Sequence, residues 1–324
     1  MAKSTCTDAD FIALFETLGG TGTALELGCD DRAVYRRRKR LEKKLGRTIN
    51  SPLQRPDRDL THMQEAIKHP DRIHLEIENG HVIIGSDAHY WPHIKSCAHR
   101  GMVAFIKKYQ PRAIIQNGDV FDGASLSRHP PAGVSAADLP SVEDEIHVCQ
   151  DRLLEMQEAA PNAKRIFTLG NHDARFEMKL MSVAPEYAKV HGSALKDHFP
   201  YWEPCWSVWI NDCIVVKHRF KGGIHAPWNN TIYAGKTIIT GHLHSAKVVP
   251  FTDYDGTRWG CDSGTLADTF GPQFRSYMED NPRNWRSAFL FLTFQNYELR
   301  WPELVPVLDE NHVEFRGEVI EVDE

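Results

Sequence analysis

Apolar positions recur with a helical period over residues 7–47, and from residue 71 onward short apolar runs alternate with helical stretches. In the first segment Asp8 or Thr7 is placed to cap a helix running through Leu18, since a short oxygen side chain accepts a bond from an orphan amide. Gly19-Gly20-Thr21-Gly22 breaks that helix, residues 23–27 form a second, and Gly28-Cys29-Asp30 turns the chain. A third helix is expected over residues 31–45, with Val34, Leu41 and Leu45 as its buried stripe and Gly46 as its left-handed cap. Residues 51–70 carry Pro52, Pro56 and Pro70 and read as a linker, with at most a short helix over 61–68.

Beyond the linker, apolar runs over 73–78 and 81–86 flank Asn79-Gly80, a hairpin signal. Runs over 112–117 and 165–169 end directly at Gly-Asp and Gly-Asn, and helices over 94–109 and 142–159 separate them, the second capped by Ser141. Strands are further expected over 207–210, 213–217, 237–240, 288–294, 298–301 and about 313–322. Strand–helix alternation followed by consecutive strands predicts an α/β (α+β) body: a mixed-sheet sandwich covered by helices. The division expected is residues 1–50 as a helical head, 51–70 as linker and 71–324 as the body.

Composition adds three constraints. No apolar run is long enough to span a bilayer, and residues 1–10 are too polar for a secretory signal. The seven scattered cysteines contain no CxxC pair and predict reduced thiols in a cytoplasmic protein. Net charge is −6, yet residues 30–47 hold nine Lys/Arg against three Asp/Glu, a local +6 that leaves −12 for the remainder. A basic head on an acidic body predicts two functions on one chain.

The candidate chemistry sits at strand ends. Five motifs follow apolar runs: Ser86-Asp87-Ala88-His89, Gly118-Asp119-Val120-Phe121-Asp122-Gly123, Gly170-Asn171-His172-Asp173, His218 after Val215-Val216-Lys217, and Gly241-His242-Leu243-His244. Residues two apart point the same way in extended chain, so Asp87 with His89, and His242 with His244, are expected to act as pairs. Imidazole, carboxylate and amide oxygen without thiolate suit Mn²⁺, Fe, Zn²⁺ or Ni²⁺ rather than a Ca²⁺ cage. Two such ions can clamp the attacking and leaving oxygens of a phosphoryl transfer and generate hydroxide at neutral pH.

In that order the motifs resemble the signature of calcineurin-like metallophosphoesterases over about residues 81–262. The resemblance implies a double β-sandwich flanked by helices and two divalent metal ions, manganese first among them. It implies Asp87, His89, Asp119 and His244 at the first ion, and Asp119, Asn171, His218 and His242 at the second. It makes His172 the acid that protonates the leaving oxygen and Asp122 the carboxylate that orients it. Protein Ser/Thr phosphatases of that superfamily carry Asp-Arg-Gly and a Glu after Gly-Asn-His. This chain has Asp122-Gly123-Ala124 and Asp173 instead, and so looks like the nuclease and phosphodiesterase side. Arg128, His129, Arg175 and His225 are candidates for gripping phosphate, and residues 176–206 for a cap, with Tyr201, Trp202 and Trp206 assigned to the core.

Residues 23–34 of the head resemble the helix-turn-helix of bacterial regulators and transposases. That would place Arg32, Arg36 and Arg37 toward a DNA groove, with Arg40, Lys43 and Lys44 on the phosphates. Such a head on such a body is similar to proteins of phage and prophage genomes. The reading that follows is a metal-dependent phosphodiesterase acting on DNA. Its alternatives are a phosphoprotein or small-nucleotide phosphatase with the same site, or a non-catalytic DNA-binding scaffold.

Overall fold

The computed structural model describes residues 6–51, 71–127, 139–274 and 281–323, and the chain divides into two compact units, residues 1–69 and 70–324. The linker helix expected over 61–68 lies outside the described residues.

The first unit is built from two helical stretches. Helix α1 (Asp8–Leu27) starts at a reciprocal cap: Thr7 Oγ1 accepts from the Asp10 amide, and the Asp10 carboxylate accepts from the Thr7 amide. Its break is narrower than four residues. Only Gly19 leaves helical geometry (φ 69°, ψ −175°), and the helix resumes at Gly20 to end on left-handed Gly28. Asp30 then caps α2 (Asp31–Leu45), accepting from the Ala33 amide at 2.8 Å, and Gly46 closes it in left-handed conformation. Phe11, Phe15, Ala24, Val34, Leu41 and Ile49 form the core of this unit. Leu45, expected in that stripe, is 47% exposed. Ile49 takes the inner position instead, its amide held by the Glu42 carboxylate at 2.9 Å.

The second unit is a sandwich of two mixed sheets. The first sheet runs β12 (Glu298–Leu299), β11 (Ala288–Gln295), β2 (Gly80–Gly85), β3 (Ala113–Asn117), β4 (Lys164–Thr168), β5 (Glu203–Cys205), with β13 (Glu303–Pro306) also on β11. The second runs β1 (Arg72–Leu75), β6 (Ser207–Ile210), β7 (Ile214–Val216), β8 (Thr237–Thr240), β10 (Gly256–Asp262), β9 (Lys247–Asp253). Strands β2, β3, β4 and β5 are parallel, as are β7 and β8. The alternation along each strand explains the layering. Val82, Ile84, Ala113, Ile115, Leu290 and Leu292 point into the space between the sheets. Ile83, Ile114, Phe167, Phe289 and Phe291 point outward, under α3 (Cys97–Tyr109) and α4 (Val142–Ala159). Helix α5 (Ala174–Val183) follows β4, and helix α6 (Ala226–Ala234) packs beside β8, β9 and β10 on the other face. The expected sandwich flanked by helices is therefore the observed one.

Three local expectations change. Residues 73–78 and 81–86 do not form a hairpin: β1 pairs in parallel with β6, while β2 pairs with β3 and β11 in the other sheet. Asn79-Gly80 carries the chain across the sandwich, and the Asn79 side chain is occupied by the Asn296 amide at 3.0 Å. The last strand is a hairpin, β14 (His312–Phe315) and β15 (Glu318–Glu321), reversing at left-handed Arg316-Gly317. Helix α3 starts at Cys97 rather than 94, because Ser96 caps it by accepting from the His99 amide. Asn211-Asp212, by contrast, closes a hairpin between the strands expected over 207–210 and 213–217, both residues being left-handed.

A partly buried polar chain ties α3 and α4 to the loop that follows β2. Tyr90 Oη lies 2.9 Å from His99 Nδ1, and His99 Nε2 lies 3.0 Å from Glu155 Oε2. Lys95 and Arg152 pair with the same carboxylate at 2.9 and 2.7 Å. Burial favours the neutral acid of Glu155, but hydrogen bonds from His99 and Lys95 outweigh it and hold the carboxyl at about 2. A depressed carboxyl contributes stability above its unfolded value and loses it as pH falls toward the folded one. The stability gap between wild type and Glu155→Gln, measured by urea unfolding in chelator, should therefore be widest near pH 7. It should close between about pH 4 and pH 2, and a gap that stays constant over that window would contradict this account.

Candidate metal centre

The five motifs converge where both sheets end. Strands β2, β3 and β4 deliver Asp87 with His89, Asp119, and Asn171 with His172; β7 and β8 deliver His218 and His242 with His244. The ligand atoms of Asp87, His89 and His244 lie within 4.8 Å of one another, as do those of Asp119, His218 and His242. His89, Asp122 and His172 form a third such group. Each of the first two groups draws on both sheets.

The pairs do not meet through extended chain. Asp87 (φ 52°), His89 (φ 38°), Asp119 (φ 52°), His242 (φ 70°) and His244 (φ 54°) are all left-handed. That backbone costs about 1–3 kcal/mol per residue, less for Asp and His than for bulky types, and such strain gathers at functional sites. The turn also separates His242 from His244, so that each joins a different group. Glycine is required beside these residues by crowding. A Cβ at Gly170 would collide with Asp119 Oδ1 and its amide nitrogen, and one at Gly241 with Asp87 Oδ2 and Ser86 Oγ. At Gly118, left-handed itself (φ 81°), a Cβ would strike the His218 ring.

Second partners fix the imidazoles. His218 Nδ1 donates to the Asn117 carbonyl at 2.8 Å, leaving Nε2 to face Asp119 Oδ2 at 3.1 Å. His89 Nδ1 donates to Asp122 Oδ1 at 2.7 Å, leaving its Nε2 toward Asp87. Buried His89 Nε2, His218 Nε2, His244 Nδ1 and Asn171 Oδ1 have no hydrogen-bond partner. Orphaned buried polar atoms are rare, and four in one place fit coordination to cations. The charge balance points the same way. Burial works against the His218 imidazolium, yet the charges of Asp87 and Asp119 raise it to about 10. The carboxylates thus draw positive charge strongly, and no Lys or Arg side chain is paired with either among the described residues.

His172 is held apart from this set. Its Nδ1 lies 3.0 Å from the Asp122 carbonyl and 3.1 Å from Asp122 Oδ1, and its amide donates to Asp119 Oδ1 at 2.7 Å. Arg175 reaches His172 Nε2 at 3.0 Å and the Asp122 carbonyl at 2.9 Å. Burial opposes protonation of this imidazole, but the Asp122 hydrogen bond and the charges of Asp119 and Asp122 raise its pKa.

Three carboxyl groups that hold the site were assigned no role in it from the sequence, although Asp173 closes the third motif. Asp173 accepts from the amides of Asp119, Val120, Phe121 and Gly170 at 2.8 to 3.1 Å, joining the β3 and β4 loops. Glu145 on α4 accepts from the amides of Gly123 and Ala124; burial and the charge of Asp122 push it up to about 8. Asp262 accepts from Ser245 and Gly264 and so holds the turn after His244. Glu145 carried one signal, a charge on the apolar stripe of α4 beside Ile146, Cys149 and Leu153.

Arg128 and His129 lie outside the described residues. His225 is exposed at the start of α6 and has no hydrogen bond to the cluster among the described residues. In the segment over 176–206, Trp202 is buried as expected, but Tyr201 and Trp206 are exposed. Leu195, Phe199 and Trp202 anchor that segment in the core under α4.

No family model matches the chain, and neither does any curated protein. Similar solved structures include the phosphoesterase Yfce from E. coli, at 14% identity over 75% of this chain and 100% of that one, with a TM-score of 0.33. A metallophosphoesterase from Sphaerobacter thermophilus is similar at 13% identity over 69% and 90%, with a TM-score of 0.37. A protein serine/threonine phosphatase from Saccharomyces cerevisiae is similar at 11% identity over 84% and 96%, with a TM-score of 0.36. The chemistry of the centre accordingly rests on its own residues.

Asp173→Asn tests the join between the two loops. The amide group keeps one acceptor oxygen and turns an NH₂ toward buried amide donors, so stability in chelator should fall by about 1–3 kcal/mol. A urea-unfolding difference below about 0.5 kcal/mol, the range of an ordinary surface change, would show that the four contacts do not support the site.

Proposed function

We propose that this chain is a two-metal phosphoesterase that hydrolyses phosphodiesters in nucleic acid. The observation that carries the reading is the pair of Asp/His groups with unpartnered nitrogens beside a separately held imidazole. Asp87, His89, Asp119 and His244 would hold one divalent ion and Asp119, Asn171, His218 and His242 the other; the mixed oxygen and nitrogen donors suit manganese, iron, zinc or nickel. Bound there, the ions would supply Lewis acidity toward a phosphoryl oxygen and a nucleophile at neutral pH. The chain's own contribution is to a proton and to position. With Nδ1–H fixed by Asp122, His172 presents Nε2 to the leaving oxygen and, as imidazolium, gives it the proton. Arg175 donates to that nitrogen at 3.0 Å while the imidazole is neutral, so the guanidinium must turn aside once Nε2 carries the proton, and its cation would then meet a phosphate oxygen.

The head supports the choice of DNA. Arg32, Arg36, Arg40 and Lys43 are exposed on the face of α2 opposite buried Val34 and Leu41. Arg37 has an internal role: it reaches the Cys6 carbonyl and Asp8 at 2.8 and 3.1 Å and stacks on Phe11. Lys44 also pairs with Asp8, at 3.4 Å. Of the six expected contacts, four exposed cations are left to release counterions from a duplex.

Two experiments separate the parts. Asp119→Asn should lower bound manganese and abolish turnover of a chromogenic phosphodiester, while His172→Ala should keep its metal and slow turnover by about 10²–10⁴-fold. That loss should shrink as the leaving group becomes more acidic, and equal losses across leaving groups would make His172 structural. For the head, Arg36→Gln with Arg40→Gln should flatten the slope of log affinity against log salt for duplex DNA by about 0.9 per lost phosphate contact. An unchanged slope would remove DNA tethering from the reading and leave the hydrolytic chemistry standing.

A further inference from the structure

The flank of the centre beside His218 has a composition unlike the rest of the body. Residues 213–252 contain five Lys/Arg and no Asp or Glu, although the chain outside residues 30–47 carries −12. Lys217 and Arg219 bracket His218, and Phe220 and Lys221 follow directly. Phe220 is 43% exposed and Tyr233, on α6, is 65% exposed. The Lys221 ammonium lies 3.9 Å from the centre of the Tyr233 ring and 6.0 Å from that of Phe220, and the Lys217 ammonium lies 5.3 Å from that of Phe220. Arg219 is exposed and makes no hydrogen bond or ion pair among the described residues.

This surface is held in place rather than loosely attached. Buried Asn230 grips the Lys221 peptide from both sides, accepting from its amide at 3.1 Å and donating to its carbonyl at 3.5 Å. Lys247 donates to the Ile224 carbonyl at 3.0 Å and fixes the far end of the same loop. The surface also meets the opening of the site. His242 is the exposed member of its group, and its ring lies 5.4 Å from that of His218.

We propose that Arg219, Phe220, Lys221 and Tyr233 form a platform for a single strand of nucleic acid running out of the metal centre, with bases on the two rings and phosphates on the cations. Two exposed rings interleaved with cations suit a strand whose bases are unstacked and whose charge is spread along its backbone. A duplex, its bases already stacked, has no use for the rings. The proposal rests on the phosphodiesterase reading and names its substrate: the product end of a single strand, or a strand opened at the site.

Binding in chelator tests the platform without hydrolysis. Full-length protein carrying Arg36→Gln and Arg40→Gln, to weaken the head, is titrated against a fluorescent twelve-nucleotide oligothymidine and followed by anisotropy. Phe220→Leu and Tyr233→Leu should each raise Kd at least about fivefold, the low end for loss of one stacked base, and Phe220→Tyr should restore binding. Inorganic polyphosphate, which has charge without bases, should compete equally well against wild type and the ring variants but less well against Lys221→Gln. An oligonucleotide containing 5-iodouracil should photo-crosslink to the peptide bearing Phe220 or Tyr233. Ring variants with unchanged Kd, equal losses for oligonucleotide and polyphosphate, or crosslinks confined to the head would each overturn the platform. Metal-dependent turnover of a small chromogenic diester is read separately, so failure of the platform and failure of the hydrolase reading remain distinct.

Discussion

Asp87, Asp119 and Asp122 sit almost fully buried within one small volume, and the electrostatic cost of putting them there organises the second unit. Like charges so close, and so far from water, destabilise a fold unless positive charge or convergent donors answer them. The chain answers partly with polarised groups: the His172 amide on Asp119, the His242 amide on Asp87, and two imidazoles on Asp122. It answers the rest with imidazole nitrogens turned toward the carboxylates, His218 Nε2 toward Asp119 and His89 Nε2 toward Asp87. The strained turns, the crowded glycines and the carboxyl groups that staple neighbouring loops all serve to keep this arrangement closed.

Much of that arrangement was legible because the relevant signals are local. An apolar run ending at Gly-Asp or Gly-Asn announces a strand that stops at a polar turn, and the structure places a candidate ligand at each such end. Ser141 and Gly46 acted as punctuation where expected. The failures lie where the deciding contact is distant. Asn79-Gly80 has the local chemistry of a hairpin, but β1 finds its partner in β6, more than a hundred residues away. The hairpin of β9 and β10 went unread because half-buried Lys247 and exposed Pro250 and Thr252 break the apolar alternation.

The site was readable as a set of residue types and unreadable as a geometry. Sequence gives Asp-x-His; it does not say that Asp87 and His89 are left-handed, so the extended-chain reason for pairing them was mistaken although both reach the centre. Support from Glu145 and Asp173 was hidden for another reason. A buried carboxyl that only accepts amide protons looks, in sequence, like any surface acid on a helix or turn. Leu45 fails conversely: helical periodicity marks it as core, but the chain beyond Gly46 returns and Ile49 fills the space.

The mixed origin of the two ligand groups has a mechanical meaning. One joins Asp87 and His89 of the first sheet to His244 of the second; the other joins Asp119 of the first to His218 and His242 of the second. Ions held there would act as rivets through the open end of the sandwich, where the apolar filling between the sheets gives way to polar turns. Sliding of one sheet over the other would tear both groups apart, so the free concentration of the ion would set how firmly the two halves of the body stay in register. A shortage of the ion would then loosen the sandwich from this end first.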